Sequence, residues 1–252
     1  MFEASLLSYA LLAVAAFIGG AMNAVAGGGS FVTFPALVFT GVPSIVANAS
    51  STVALFPSAF ASAWAYRANF RKFEGVATKT ILLVSLAGGS TGAILLLTTS
   101  QRAFDIVVPW LLLFASVIFA FGPRLAPRLR RFIVITPPMF LVLHFIVSIY
   151  GGYFGGAVGI VSMALWSFLG HTDIHEMNAA KTLLVGTMNT AAVVIFVFAG
   201  KILWVPTLIM LAGALAGGYL GASVVRRLDA KYVRMAVIAI SFIVTARFFL
   251  KG

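Results

Sequence analysis

Apolar residues along this chain run in long blocks, and polar positions gather at the block ends instead of alternating through them. Ten blocks can be drawn, over residues 4–26, 30–41, 45–66, 76–98, 104–121, 133–153, 157–169, 177–199, 203–225 and 232–250. Most are near the roughly 20 residues that cross a bilayer core of about 30 Å as a helix. Blocks 30–41 and 157–169 are the exceptions; as helices they reach only about 18 Å. The pattern predicts an all-α polytopic membrane protein, because a spanning segment in lipid must pair its own backbone groups.

Composition agrees. Of 252 residues, 62% are hydrophobic and 9% charged, against about 25% charged in a soluble domain. The net charge of +11 would suggest nucleic acid in a soluble protein. Here the basic residues sit in short loops between apolar blocks, so the expected partner is the lipid bilayer and no nucleic acid. Cysteine is absent, which excludes disulfides, thiolate chemistry and cysteine-based metal sites. Ala24-Val25-Ala26 resembles a signal-peptidase site, yet the residues before it carry Glu3 and no Lys or Arg, so the first block is expected to remain in the protein.

The second five blocks echo the first five. "LAGGSTGA" (Leu86–Ala93) matches "LAGGYLGA" (Leu215–Ala222) at six of eight positions, 129 residues apart. At a spacing of 130, Gly29 falls on Gly159, Asn48 on Asn178, Ala49 on Ala179 and Thr52 on Thr182. The collinear matches divide the chain into a first repeat, 1–121, and a second, 133–252, joined by a basic, proline-containing linker, 122–132.

Charge then orients each half. The loop after the third block carries Arg67, Arg71, Lys72 and Lys79; the linker carries Arg124, Arg128, Arg130 and Arg131; the loop after the ninth carries Arg226, Arg227, Lys231 and Arg234. These loops hold twelve of the seventeen basic residues and are expected to be cytoplasmic. Between them lie loops with only Arg102 and Lys201. The loop between blocks three and four is then inside, while its counterpart between eight and nine is outside. The two halves are expected to be inverted-topology repeats, an architecture of secondary transporters.

Short, glycine-interrupted segments at corresponding positions of inverted halves point to a transport site. Block 30–41 follows Gly27-Gly28-Gly29, and 157–169 follows "YGGYFGGAVG" (Tyr150–Gly159). Glycines every fourth position let helices approach, which accounts for Gly88/Gly92 and Gly213/Gly217/Gly221. Three consecutive glycines occupy all sides of a helix and predict a break instead. A break presents the positive N-terminal end of the next helix inside the membrane, where it attracts anions. Ser30 is placed to cap that helix or to donate to a ligand. Asn48 and Thr52 lie one turn apart on the third block, as do Asn178 and Thr182 on its twin. Lys181 is a cation near the start of an apolar helix; it either snorkels to the interface or supplies fixed charge to an anion. Asn189, two turns on, extends the polar lining or bonds a neighbouring helix.

Other chemistries fit less well. "HTDIHE" (His171–Glu176) holds two imidazoles and two carboxylates. It lies in a loop without a further cluster elsewhere, so no metal site is expected. The segment reads as a helix-capping loop, with Asp173 as the cap and His175 and Glu176 solvated; because imidazole titrates near neutrality, a cytoplasmic acceptor for a coupling proton is the alternative. His144 has no serine or carboxylate at a spacing that implies a dyad, and no nucleophile elbow or phosphate loop occurs, so no catalytic residue, cofactor or enzymatic activity is expected.

"NAVAGGGSFVTFPAL…GVPSIVANASSTVALFPSAFASAWAYR" resembles the first signature of the TauE/SafE family of sulfite and organosulfonate exporters, and "GGYFGGAVGIV…NAAKTLLVGTMNTAAVVIFVFAGKI" is similar to its second. The resemblance implies an inner-membrane carrier for a small sulfur-containing anion such as sulfite, a sulfonate or sulfoacetate, working by alternating access. A channel-like pathway for a small anion or a metal ion is the alternative. By the same resemblance the substrate site comprises Gly27, Gly28, Gly29, Ser30, Asn48, Thr52, Asn178, Lys181 and Asn189, with Thr182 beside them. Many relatives carry a lysine near the Ser51–Thr52 position, which this sequence lacks.

Overall fold

The computed structural model describes residues 5–25, 28–65, 75–129, 135–167, 174–225 and 230–251. All regular elements within them are helices: α1 (Leu6–Val25), α2 (Ser30–Phe39), α3 (Ser44–Ala65), α4 (Thr78–Thr98), α5 (Gln101–Leu129), α6 (Pro137–Tyr153), α7 (Val158–Ser167), α8 (Ile174–Phe198), α9 (Trp204–Val225) and α10 (Ala230–Lys251). Each apolar block became one helix. The main departure is α5, which continues through 122–129, where the sequence pattern ends at 121.

Among the described residues, four stretches are long and apolar enough to span a bilayer: Leu6–Asn23, Thr78–Thr98, Gln101–Gly122 and Ala179–Phe198. The molecule is apolar outside. Leu7, Trp110, Val142, Phe198, Leu208 and Ile243 are all exposed, a surface that lipid solvates and water does not. Polar side chains go inward instead: Ser44, Asn48, Ser50, Ser51 and Ser58 of α3 are buried. A multi-pass membrane protein is the arrangement that satisfies both.

The helices interlock. α1 lies along α9 and α4 along α6, while α3 packs on α8 and α5 on α10; α2 packs against both α1 and α3, and α7 against both α6 and α8. Exchanging α1–α5 for α6–α10 leaves these pairings unchanged. The long seams depend on glycine. A Cβ at Gly217 would stand 1.9 Å from the Phe17 carbonyl oxygen, and one at Gly92 would stand 2.1 Å from that of Ile149. With lipid tails as apolar as any side chain, close backbone packing of this kind is what holds membrane helices together. Hydrogen bonds tie α3 to distant parts of the chain: Asn48 Nδ2 donates to Tyr153 O at 2.9 Å, and the Leu203 amide donates to Ser50 Oγ at 3.0 Å.

Candidate functional site

The helix break expected at the glycine triplet is present. α1 ends at Val25 and α2 begins at Ser30; between them Gly28 has φ +100°, a conformation that side chains rarely adopt. Ser30 is not the cap that the sequence suggests. Gly29 is the N-cap, without a side-chain cap bond, because the Gly28 and Gly29 carbonyls accept from the Phe31 and Val32 amides at 3.0 and 3.1 Å and close the first turn themselves. Ser30 is thereby left as the first helical residue, facing a cavity.

A second break separates α6 from α7. Gly155 has φ +76° and Ala157 φ +55°, the latter a left-handed alanine that costs about 1–2 kcal/mol. Tyr150 holds this turn by donating its hydroxyl to Gly156 O at 2.5 Å. Phe154 anchors its start, packing edge-on against Phe34 of α2 with ring centroids 5.7 Å apart.

Both breaks open on one cavity of about 80 Å³, room for several waters or a small ion. Its wall comprises Asn23, Gly28 and Ser30, then Ser51, Thr52 and Leu55 of α3. The second break supplies Phe154, Gly155 and Ala157–Ile160, and α8 supplies Lys181, Thr182, Val185 and Asn189. The Phe31 and Val32 amides of α2 and the Val158 and Ile160 amides of α7 are engaged by carbonyls of their own turns, so what α2 and α7 both bring here is the positive end of the helix dipole. Lys181 brings a full one. Its stem lies across Gly159, where a Cβ would meet Lys181 Cδ at 2.9 Å and Cγ at 3.2 Å. Among the described lining residues Lys181 is the only cation, and none is acidic.

Gly28, Ser30, Thr52, Lys181, Thr182 and Asn189 therefore line one cavity. Gly29 does not reach it; its Cβ position lies 2.3 Å from the Gly19 carbonyl oxygen, so it serves the packing of α1 on α2. Asn48 is 3% exposed and its amide is engaged by Tyr153, one turn from the wall. Gly27 lies outside the described residues, as does the Asn178 side chain. Asn189 lines the cavity, and its Oδ1 is buried without a donor among the described residues. Asn23 and Ser51 were legible but unselected. Asn23 is polar within an apolar block just before the break, and Ser51 occupies the position that the spacing of 130 matches to Lys181.

A serine does pair with His144, although 59 residues separate them: Ser85 Oγ and His144 Nε2 are 2.8 Å apart. Ser85 donates its own proton to Ile81 O at 2.9 Å, so it accepts from the imidazole and cannot serve as a nucleophile in this state. Both residues are fully buried in the α4–α6 seam, away from the cavity wall. His171 and Asp173 lie outside the described residues, and residues 174–176, expected in a loop, form the first turn of α8; among the described residues, no group of three potential ligands could hold a metal.

The description "Sulfite exporter TauE/SafE" belongs to a family model that matches residues 12–248. A probable membrane transporter protein of Haemophilus influenzae is 29% identical over 239 residues, 94% of this chain and 93% of the relative. The probable membrane transporter protein YfcA of Escherichia coli K12 is 25% identical over 98% of this chain and 91% of its own length. The probable membrane transporter protein ORF9 of a Sinorhizobium species is 27% identical over 94% and 91%. No solved structure matches. The family match takes in all but the outer ends of α1 and α10, and the chain is a membrane transporter belonging to the TauE/SafE sulfite exporter family.

Proposed function

We propose that this transporter is a secondary carrier that moves a small sulfur-containing anion (sulfite, a sulfonate or sulfoacetate) outward across the inner membrane by alternating access. The observation that carries this reading is the convergence of Lys181 with the N-terminal ends of α2 and α7 on one cavity. Positive charge from three sources in a poorly solvated interior repels itself, and an anion bound among them relieves that cost. A small oxyanion with three oxygens on sulfur suits the volume and accepts from several donors at once.

The moving parts are the two halves, 1–121 and 133–252, joined through 122–132 and set in opposite orientations. The pairings that persist when the halves are exchanged support this reading, as do the basic loops. Because the protein has no cysteine, single cysteines report topology directly. Arg102→Cys and Lys201→Cys, both at exposed positions, are expected to react with a membrane-impermeant maleimide from the outside of intact cells. Labelling of either one only after permeabilisation would overturn the inverted orientation.

Transport itself is tested in proteoliposomes. Vesicles preloaded with unlabelled sulfite are expected to take up labelled sulfite several times faster than empty ones, the counterflow that a carrier shows and a channel does not. A panel of sulfate, thiosulfate, taurine and sulfoacetate ranks substrates, and an imposed pH gradient reports whether a proton is the coupling ion. If no compound of the panel stimulates exchange, the carrier reading fails.

A further inference from the structure

The hydroxyl groups of the cavity wall face a simple accounting constraint, since each has one proton to donate. Thr33 Oγ1 donates to Gly29 O at 3.1 Å, so in its 2.6 Å contact with Ser51 Oγ it must accept, and the Ser51 proton is engaged. Thr52 Oγ1 donates to Asn48 O at 2.9 Å. On α8, Thr182 Oγ1 donates in the same way to Ala179 O at 3.0 Å. Ser51 and Thr52 both line the cavity, and with their protons engaged the capacity left to them is oxygen lone pairs. Ser51 and Thr33 are buried, 2% and 0% exposed, so turning the Ser51 proton toward a ligand would break a hydrogen bond that water cannot replace.

The cavity is therefore polarised. The side formed by α7 and α8 carries Lys181 and the first turn of α7, which attract anionic oxygen. The α3 side carries no cation, and its Ser51 and Thr52 oxygens, like that of Thr182 on α8, repel an anion and call for a donor. We propose that the ligand of this cavity is an oxyanion that also carries its own O–H or N–H donor, with the anionic group toward Lys181 and the donor toward Ser51 and Thr52. Hydrogensulfite and hydroxy- or amino-sulfonates belong to this class; sulfate and simple alkylsulfonates do not. The inference rests on the sulfur-anion reading above and narrows it.

Two sulfonates that differ by one hydroxyl test it: ethanesulfonate and 2-hydroxyethanesulfonate, titrated into the purified full-length protein. Wild type is expected to bind the hydroxylated ligand about fivefold to tenfold more tightly, the usual net worth of one added hydrogen bond. Thr52→Val and, separately, Ser51→Ala are expected to reduce the ratio of the two affinities, the preference being read as that ratio within each variant. Should Ser51→Ala fail to fold because Thr33 loses its partner, Thr52→Val alone decides. Lys181→Met is expected to weaken both ligands alike. Equal affinity of wild type for the two sulfonates would overturn the polarity, as would a preference that survives the α3 substitutions. Binding of neither sulfonate would instead overturn the sulfur-anion reading on which the inference depends.

Discussion

Lys181→Met is expected to raise the dissociation constant of the transported anion by roughly ten- to a hundredfold, since a poorly solvated charge-assisted contact is worth about 1.5–3 kcal/mol. The lysine stands two turns into α8, on the cavity wall, with its stem packed on Gly159. A methionine fills much the same space, so the loss reports charge more than shape. Lys181→Arg keeps the charge but must seat a planar fork against the first turn of α7, and is expected to retain part of the affinity. Binding measured on purified protein separates this from transport kinetics. Unaltered affinity in Lys181→Met would return the residue to a snorkelling role and leave the helix N-termini as the only anion-attracting element of the cavity.

Two glycine substitutions should fail for different reasons. At Gly217 a Cβ would stand 1.9 Å from the Phe17 carbonyl oxygen and 2.6 Å from its carbonyl carbon. These are backbone atoms of α1 that cannot step aside without parting the α1–α9 seam. Gly217→Leu is expected to lower stability by about 3 kcal/mol or more and to reduce the folded protein recovered from membranes severalfold. At Gly28 the nearest atoms are ring carbons of Phe31 at 3.0 Å and Phe119 at 3.4 Å, side-chain edges that can shift. The φ of +100° adds about 1–2 kcal/mol for any side chain. Gly28→Leu is therefore expected to insert and fold, with a lower melting temperature, while its side chain occupies the cavity and abolishes counterflow. Size-exclusion profiles and melting curves of both variants, set beside counterflow rates, separate the two effects. Equal loss of folded protein from both would make Gly28 a packing residue and remove it from the site.

The helices themselves were legible because what makes them is local. A block of about twenty apolar residues in lipid has no way to pair its backbone other than as a helix, and the described helix ends fall within a few residues of the block ends apart from the run of α5 to Leu129. The two breaks were legible for the same reason, since Gly27-Gly28-Gly29 and the glycines of 150–159 act on their own backbone. The seam glycines declared themselves by spacing, and Gly88, Gly92, Gly213 and Gly217 do lie against backbone or side chains of neighbouring helices.

Helix periodicity placed Asn48 and Thr52 on one face, but it carries no information about what that face meets. Asn48 turned out to bond Tyr153, 105 residues away, while Thr52 reached the cavity. Ser85 could not be matched to His144 from spacing, since their contact exists only where α4 lies along α6. The Ser51 proton is decided by Thr33, and hence by the way α2 folds back on α3. By itself the sequence determined a helical membrane transporter with two broken helices and a lysine near the start of an apolar helix. Which polar groups face one another, which protons are engaged and which glycine a lysine lies against were decided by tertiary packing, because each depends on distances between segments that backbone propensity does not encode.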